Sequence, residues 1–160
     1  MTELVDPTLP SADICLIKRM IPHRYPFLLI DKVVNLNAGI GALGIKNVTV
    51  NEPYFVGHFP NKPVVPGVSI VESMAQTAAV LVVHSTGMTD RDLNVYLMSV
   101  DNARFRKMVV PGDILFLPVS VIRGRGRIWK FGCEAKVEGK VVATADITAA
   151  WELNEAGQAK

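Results

Sequence analysis

The chain has 160 residues, 49% of them apolar and 20% charged, with a formal net charge of +2. That length suits one domain with its own core and is short for two. The near-balanced charge argues against a nucleic-acid binder, no run of about 18 apolar residues marks a membrane span, and no basic stretch with an apolar signal core opens the chain.

Residues 1–10 carry two prolines, two acids and no periodic pattern, and are expected as a mobile tail. Ser11 is expected to cap a short helix running through Met20, with Asp13 in its first turn and Pro22 as its stop. Pro22 to Pro26 reads as an extended connector. A strand is expected from Phe27 to about Leu36, then a turn at Asn37 and Gly39, then a second strand from Ile40 to about Val50. Gly41 and Gly44 within it mark a bulge or another backbone passing close. Asn51 to Pro66 is a long loop; a loop of that length inside a compact domain is usually functional or disordered, and Pro53, Pro60, Pro63 and Pro66, each fixing a backbone torsion, argue against disorder.

Gly67 to about Ser85 is expected to form one helix, roughly 28 Å long. Ser69, Glu72, Ser73, Gln76 and Thr77 fall in one stripe, and the rest of the circumference is apolar. Such a helix is buried, so its polar stripe must meet a cavity, a partner or hydrogen-bonding backbone. Four strands follow: Val95 to Met108, bent or split near Asp101, Ile114 to Ile122, Ile128 to Val137 and Val141 to Leu153. In the last two, apolar and polar residues alternate, giving one packed and one partly wet face. The coarse result is an α+β fold, a curved antiparallel sheet of about six strands wrapped around one long central helix. A single domain is expected over residues 11–153, with a frayed tail over 154–160. The apolar surplus suggests an oligomer. Cys15 and Cys133 are far apart without metal-ligand spacing, as in an intracellular protein with free thiols.

Two side chains stand out as carriers of chemistry. His58 lies in the proline-stiffened loop directly before the helix, and Glu72 lies fourteen positions on, in the first turns of an apolar helix. His58 reads either as a loop histidine bonded to backbone or as a rigidly held general base. Glu72 reads either as a partner of the helix dipole or as a buried acid that keeps its proton. Together they suit removal of a proton and expulsion of a hydroxyl. Gly67 opens the helix, where a free amide at the positive end can polarise a carbonyl oxygen. His23 and His84 read as structural. Arg104, Arg106 and Lys107 form one basic cluster, and Arg123, Arg125 and Arg127 another at a hairpin tip; each is solvated surface or a docking patch for an acidic partner.

The run Ile21-Pro22-His23-Arg24-Tyr25-Pro26-Phe27-Leu28-Leu29-Ile30-Asp31 resembles the opening signature of the (3R)-hydroxyacyl-[acyl-carrier-protein] dehydratases of type II fatty-acid synthesis. Asn51-Glu52-Pro53, Gly57-His58-Phe59-Pro60, Pro63, Pro66-Gly67, Glu72, Ala75 and Gln76 resemble their catalytic segment, and Ser99 to Asn102, Arg104 to Arg106 and Pro111 to Asp113 their later blocks. The resemblance implies a hot-dog fold and a homodimer, commonly a trimer of dimers, whose active sites are shared between subunits. It implies His58 as the base at C2, Glu72 of the other subunit as the acid to the 3-hydroxyl, and the Gly67 amide as the thioester carbonyl's donor. Phe59, Tyr96 and Met98 would line an acyl tunnel, and Arg104, Arg106 and Lys107 would meet the acyl carrier protein. No metal or organic cofactor, nucleic acid or membrane is implied, and the setting is cytoplasmic. Isomerising relatives carry aspartate at position 72, so Glu72 fits the non-isomerising type; Ser69, where leucine is frequent, is a departure. Two other readings are a hot-dog acyl thioesterase and a non-catalytic acyl-thioester-binding module.

Overall fold

The computed structural model describes residues 5–154. The helix α1 (Ile14–Met20) and the strands β1 (Lys32–Asn37) and β2 (Gly41–Asn47) precede a short 3-10 turn, Pro53–Val56. The long helix α2 (Gly67–Thr86) follows, then β3 (Leu93–Phe105), β4 (Ile114–Arg125), β5 (Ile128–Val137) and β6 (Lys140–Leu153). The six strands form one antiparallel sheet in the order β1-β2-β4-β5-β6-β3. The sheet packs around α2, which touches all six strands, so the architecture is the hot-dog arrangement expected from the sequence.

By length and composition α2 could cross a membrane, but 67% of its apolar window is buried inside the protein. Its core side chains include Met74, Ala78, Val80 and Leu81, packed against Leu115, Leu117, Phe131 and Ile147 of the sheet. Cys133 belongs to this core, and burial, then the nearby Asp146, pushes its thiol up to about 12. The close backbone approach expected at the β2 glycines is found at Gly41, where a Cβ would lie 2.8 Å from the Val119 carbonyl oxygen; at Gly44 a side chain comes close instead, and a Cβ would lie 2.1 Å from the Thr77 hydroxyl oxygen. A side chain there would hold the sheet off the helix. Gly87 ends α2 with φ 65°, donating its N–H to the His84 and Val83 carbonyls in the left-handed cap that glycine adopts most readily.

Several boundaries differ from the sequence reading. The cap of α1 is Asp13 rather than Ser11: the Leu16 N–H donates to its carboxylate at 2.8 Å. Residues 27–31 are not strand: at residues 27–29 the Gln76 side chain stands in for a neighbouring ladder. It accepts from Leu29 N–H at 2.9 Å and donates to the Phe27 carbonyl at 2.7 Å. The third strand ends at Phe105 rather than Met108 and its pairing shifts register on both sides of Asp101, the bend expected there. Part of the segment expected as a tail is tied to β1: Leu36 N–H donates to Pro10 O, Asp6 N–H to Asn35, and Val5 packs on Val34, Leu43 and Ile45. Residues 1–4 and 155–160 lie outside the described residues.

Candidate active site

The loop between β2 and α2 delivers His58 through a chain of local bonds. Glu52 precedes the 3-10 turn and receives Lys46, which is only 3% exposed, in a buried ion pair. The Tyr54 carbonyl at the centre of that turn then accepts both the Gly57 and the His58 N–H. The Tyr54 phenol is enclosed, and burial, then the Glu52 charge, holds its pKa well above the ordinary range. Val64 N–H returns to the His58 carbonyl at 3.1 Å and closes the loop. The peptide bonds Tyr25–Pro26 and His58–Phe59 are cis.

The His58 ring is fixed by its Nδ1, 2.6 Å from the Val64 carbonyl. A carbonyl only accepts, so Nδ1 carries the hydrogen and the lone pair sits on Nε2. The Phe59 ring stacks on the imidazole with centroids 4.1 Å apart. His58, Gly67, Phe105, Arg106, Lys107 and Met108 line one open groove of about 670 Å³. Gly67 is the first residue of α2, so its N–H has no intrahelical acceptor and lies at the positive end of the helix dipole. A Cβ on Gly67 would lie 2.9 Å from two carbons of the Phe105 ring. Phe105 is thus a wall of the site that sequence reasoning passed over, since an aromatic at a strand end carries no signal of what it faces.

Glu72 is held elsewhere. Its carboxylate accepts from Gln76 Nε2 at 2.8 Å and faces His23 Nε2 at 3.5 Å. Burial raises its pKa, and the Gln76 hydrogen bond only partly offsets this. The rest of the expected polar stripe is internal to α2: Ser73 donates to the Ser69 carbonyl and Thr77 to the Ser73 carbonyl. His23, read from the sequence as structural, is the neighbour that reading missed, because the contact spans 49 positions. Within one chain, then, His58 and Gly67 share the groove with Arg106 and Lys107, while Glu72, Tyr96, Met98 and Arg104 are not among its lining residues. Tyr96, Leu97 and Met98 are exposed on β3, the strand at the sheet edge.

The FabA-like domain family matches residues 21–146. A 3-hydroxyacyl-[acyl-carrier-protein] dehydratase FabZ of Roseobacter denitrificans is 53% identical, covering 89% of this chain and 95% of that protein. The FabZ of Dinoroseobacter shibae is 56% identical, covering 87% and 86%. Among solved structures, the dehydratase heterocomplex ApeI:P of Xenorhabdus doucetiae superposes with a TM-score of 0.75 at 19% identity, covering 86% of this chain and 91% of that one, which speaks to the fold alone. The chain belongs to the FabA-like family, among the 3-hydroxyacyl-[acyl-carrier-protein] dehydratases FabZ.

Proposed function

We propose that this protein dehydrates (3R)-3-hydroxyacyl thioesters on acyl carrier protein to trans-2-enoyl thioesters and water, in fatty-acid biosynthesis. The carrying observation is the His58 ring, whose Nδ1 is committed to Val64 so that Nε2 is the basic nitrogen, in a groove that also contains the free end of α2. The Gly67 N–H binds the thioester carbonyl and stabilises the charge that develops on its oxygen. His58 Nε2 takes the proton from C2, and that electron pair forms the C2–C3 double bond as the C3–O bond breaks. Glu72 gives its proton to the departing hydroxyl, which leaves as water. Burial favours the protonated carboxyl this step requires. Solvent then returns the proton from His58 to Glu72.

Glu72 lies outside its own chain's groove, which supports a site completed by Glu72 of a second copy. The β3 edge supports the same reading: 13 residues long, with Tyr96, Met98 and Val100 exposed, it is a ready template for pairing with another chain. A cytoplasmic homodimer, arranged as a trimer of dimers, is the assembly we infer, serving fatty-acid and lipid A biosynthesis. Phe59 on the loop and Tyr96 and Met98 on this edge suit an acyl tunnel at that junction. Arg106 and Lys107 at the groove, with Arg104 on the same strand, suit the acidic carrier protein.

Subunit complementation tests the reading. His58→Ala and Glu72→Gln are each expected to be inactive. Co-expressed, they form mixed dimers with one intact site, restoring about a quarter of the activity under random pairing. Mixed dimers as inactive as either parent would refute the shared site, and a turning-over Glu72→Gln would refute the acid.

A further inference from the structure

The connector before β1 places His23 against the proposed acid, and the arrangement around it is specific. Three hydrogen bonds from Arg24 fix the connector's backbone, to the carbonyls of Lys18 (2.8 Å), Ile21 (2.9 Å) and His23 (2.7 Å). The Phe27 ring stacks on the imidazole at 6.1 Å. Gln76 then ties Phe27 and Leu29 to α2 and, with the same Nε2, donates to Glu72 Oε1. His23 Nε2 faces that same Oε1 at 3.5 Å, and the two side chains are only 18% and 20% exposed. His23 Nδ1 is enclosed and has no hydrogen-bond partner among the described residues.

These contacts favour one placement of the hydrogens. As the oxygen that accepts from Gln76, Oε1 suits the carbonyl end of the carboxyl, which presents lone pairs to His23. A bare Nε2 lone pair opposite it would be repelled, whereas an Nε2–H is attracted. The favoured tautomer therefore carries its hydrogen on Nε2 and leaves Nδ1 bare. With the Gln76 N–H bonded to Oε1 and the His23 Nε2 3.5 Å from the same oxygen, the proton of the neutral carboxyl belongs on Oε2. We propose that His23 is a positioning residue for Glu72: its Nε2–H and the Gln76 amide together occupy Oε1 and reserve Oε2 as the oxygen that hands its proton to the leaving hydroxyl. The inference rests on Glu72 being the acid proposed above. The charged groups beside His23 are Arg24 and Glu72, and burial, then Arg24, disfavours its imidazolium, in keeping with a neutral donor.

The test uses dehydration of a 3-hydroxybutyryl thioester by the full-length protein, followed by the rise in enoyl absorbance. His23→Leu is expected to lower kcat roughly 10- to 100-fold, the scale of a misaligned reacting group, with little change in KM. Losing a donor to the carboxylate makes Glu72 harder to ionise, so the alkaline limb of kcat moves to higher pH. His23→Gln, whose Nε2 can reach Oε1, is expected to restore both. In a Glu72→Gln background, His23→Leu is expected to change nothing further. Independently of activity and of any variant's folding, 15N-histidine NMR of the unsubstituted protein is expected to show His23 protonated on Nε2. A proton on Nδ1, an unaltered His23→Leu, or a His23→Gln as impaired as His23→Leu would each overturn the inference. An inactive Glu72→Gln beside normal His23 variants would overturn this inference alone, whereas an active Glu72→Gln would take the acid assignment with it.

Discussion

Replacing Gly67 by alanine should separate activity from stability. The added Cβ would sit 2.9 Å from two carbons of the Phe105 ring and 3.1 Å from a third. Carbon atoms rest at about 3.5–4.0 Å, so the ring must retreat by roughly 0.6–1 Å. Phe105 is 53% exposed, so it can swing outward rather than push on the core. The backbone of Gly67 is helical and alanine favours a helix, so the contact is the main cost. We expect about 1 kcal/mol of destabilisation, the low end for overpacking, and a Tm lowered by about 2–4 °C for a chain of this size. The catalytic loss should be larger, roughly 10- to 100-fold in kcat/KM, because the ring forms the groove wall beside the amide proposed to receive the carbonyl. Thermal melts and thioester dehydration measure the two effects. Phe105→Ala combined with Gly67→Ala should recover part of the activity lost by Gly67→Ala alone. A Gly67→Ala protein with activity within about twofold of the unsubstituted one would rule out a role for this groove wall in turnover.

Gly44→Ala should act in the opposite way. Its Cβ meets the fully buried Thr77, so the sheet must part from α2, at about 3 kcal/mol, and urea melts should recover when Thr77→Ala is added. Lys46→Met would leave Glu52 buried without its cation, costing about 3–5 kcal/mol, and Glu52→Gln added to it should restore much of the loss; an unchanged urea midpoint for Lys46→Met would count against the anchor. Glu72→Gln should stabilise the protein at alkaline pH. The folded Glu72 carboxyl holds its proton more tightly than the unfolded one, so stability falls as pH rises from the unfolded through the folded pKa. The Tm advantage of the Gln variant should therefore grow from acid to alkaline pH, and a flat difference would contradict the burial argument. Arg106→Glu should impair turnover of carrier-bound substrate more than that of a small thioester; equal impairment would argue against docking at the groove.

The sheet-around-helix architecture is legible in the sequence alone, because its signals are local and mutually consistent. Alternating strands, a helix apolar over most of its surface and a proline-stiffened loop leave few other ways to bury that surface. The sequence also singled out Glu72, a carboxyl on an apolar helix, and with it His58 in a rigid loop and Gly67 at the helix start, two residues ordinary in type and marked only by their position. What it could not supply were contacts between segments distant in the chain. That Val64 fixes the tautomer of His58, that Phe105 lies over Gly67, and that the Gln76 side chain substitutes for a strand partner at residues 27–29 all depend on how separate elements approach. The same holds for His23, whose residue type alone reads as ordinary and whose meaning comes from the carboxyl 3.5 Å away. Periodicity reports which face of an element is buried; only packing reports what that face meets.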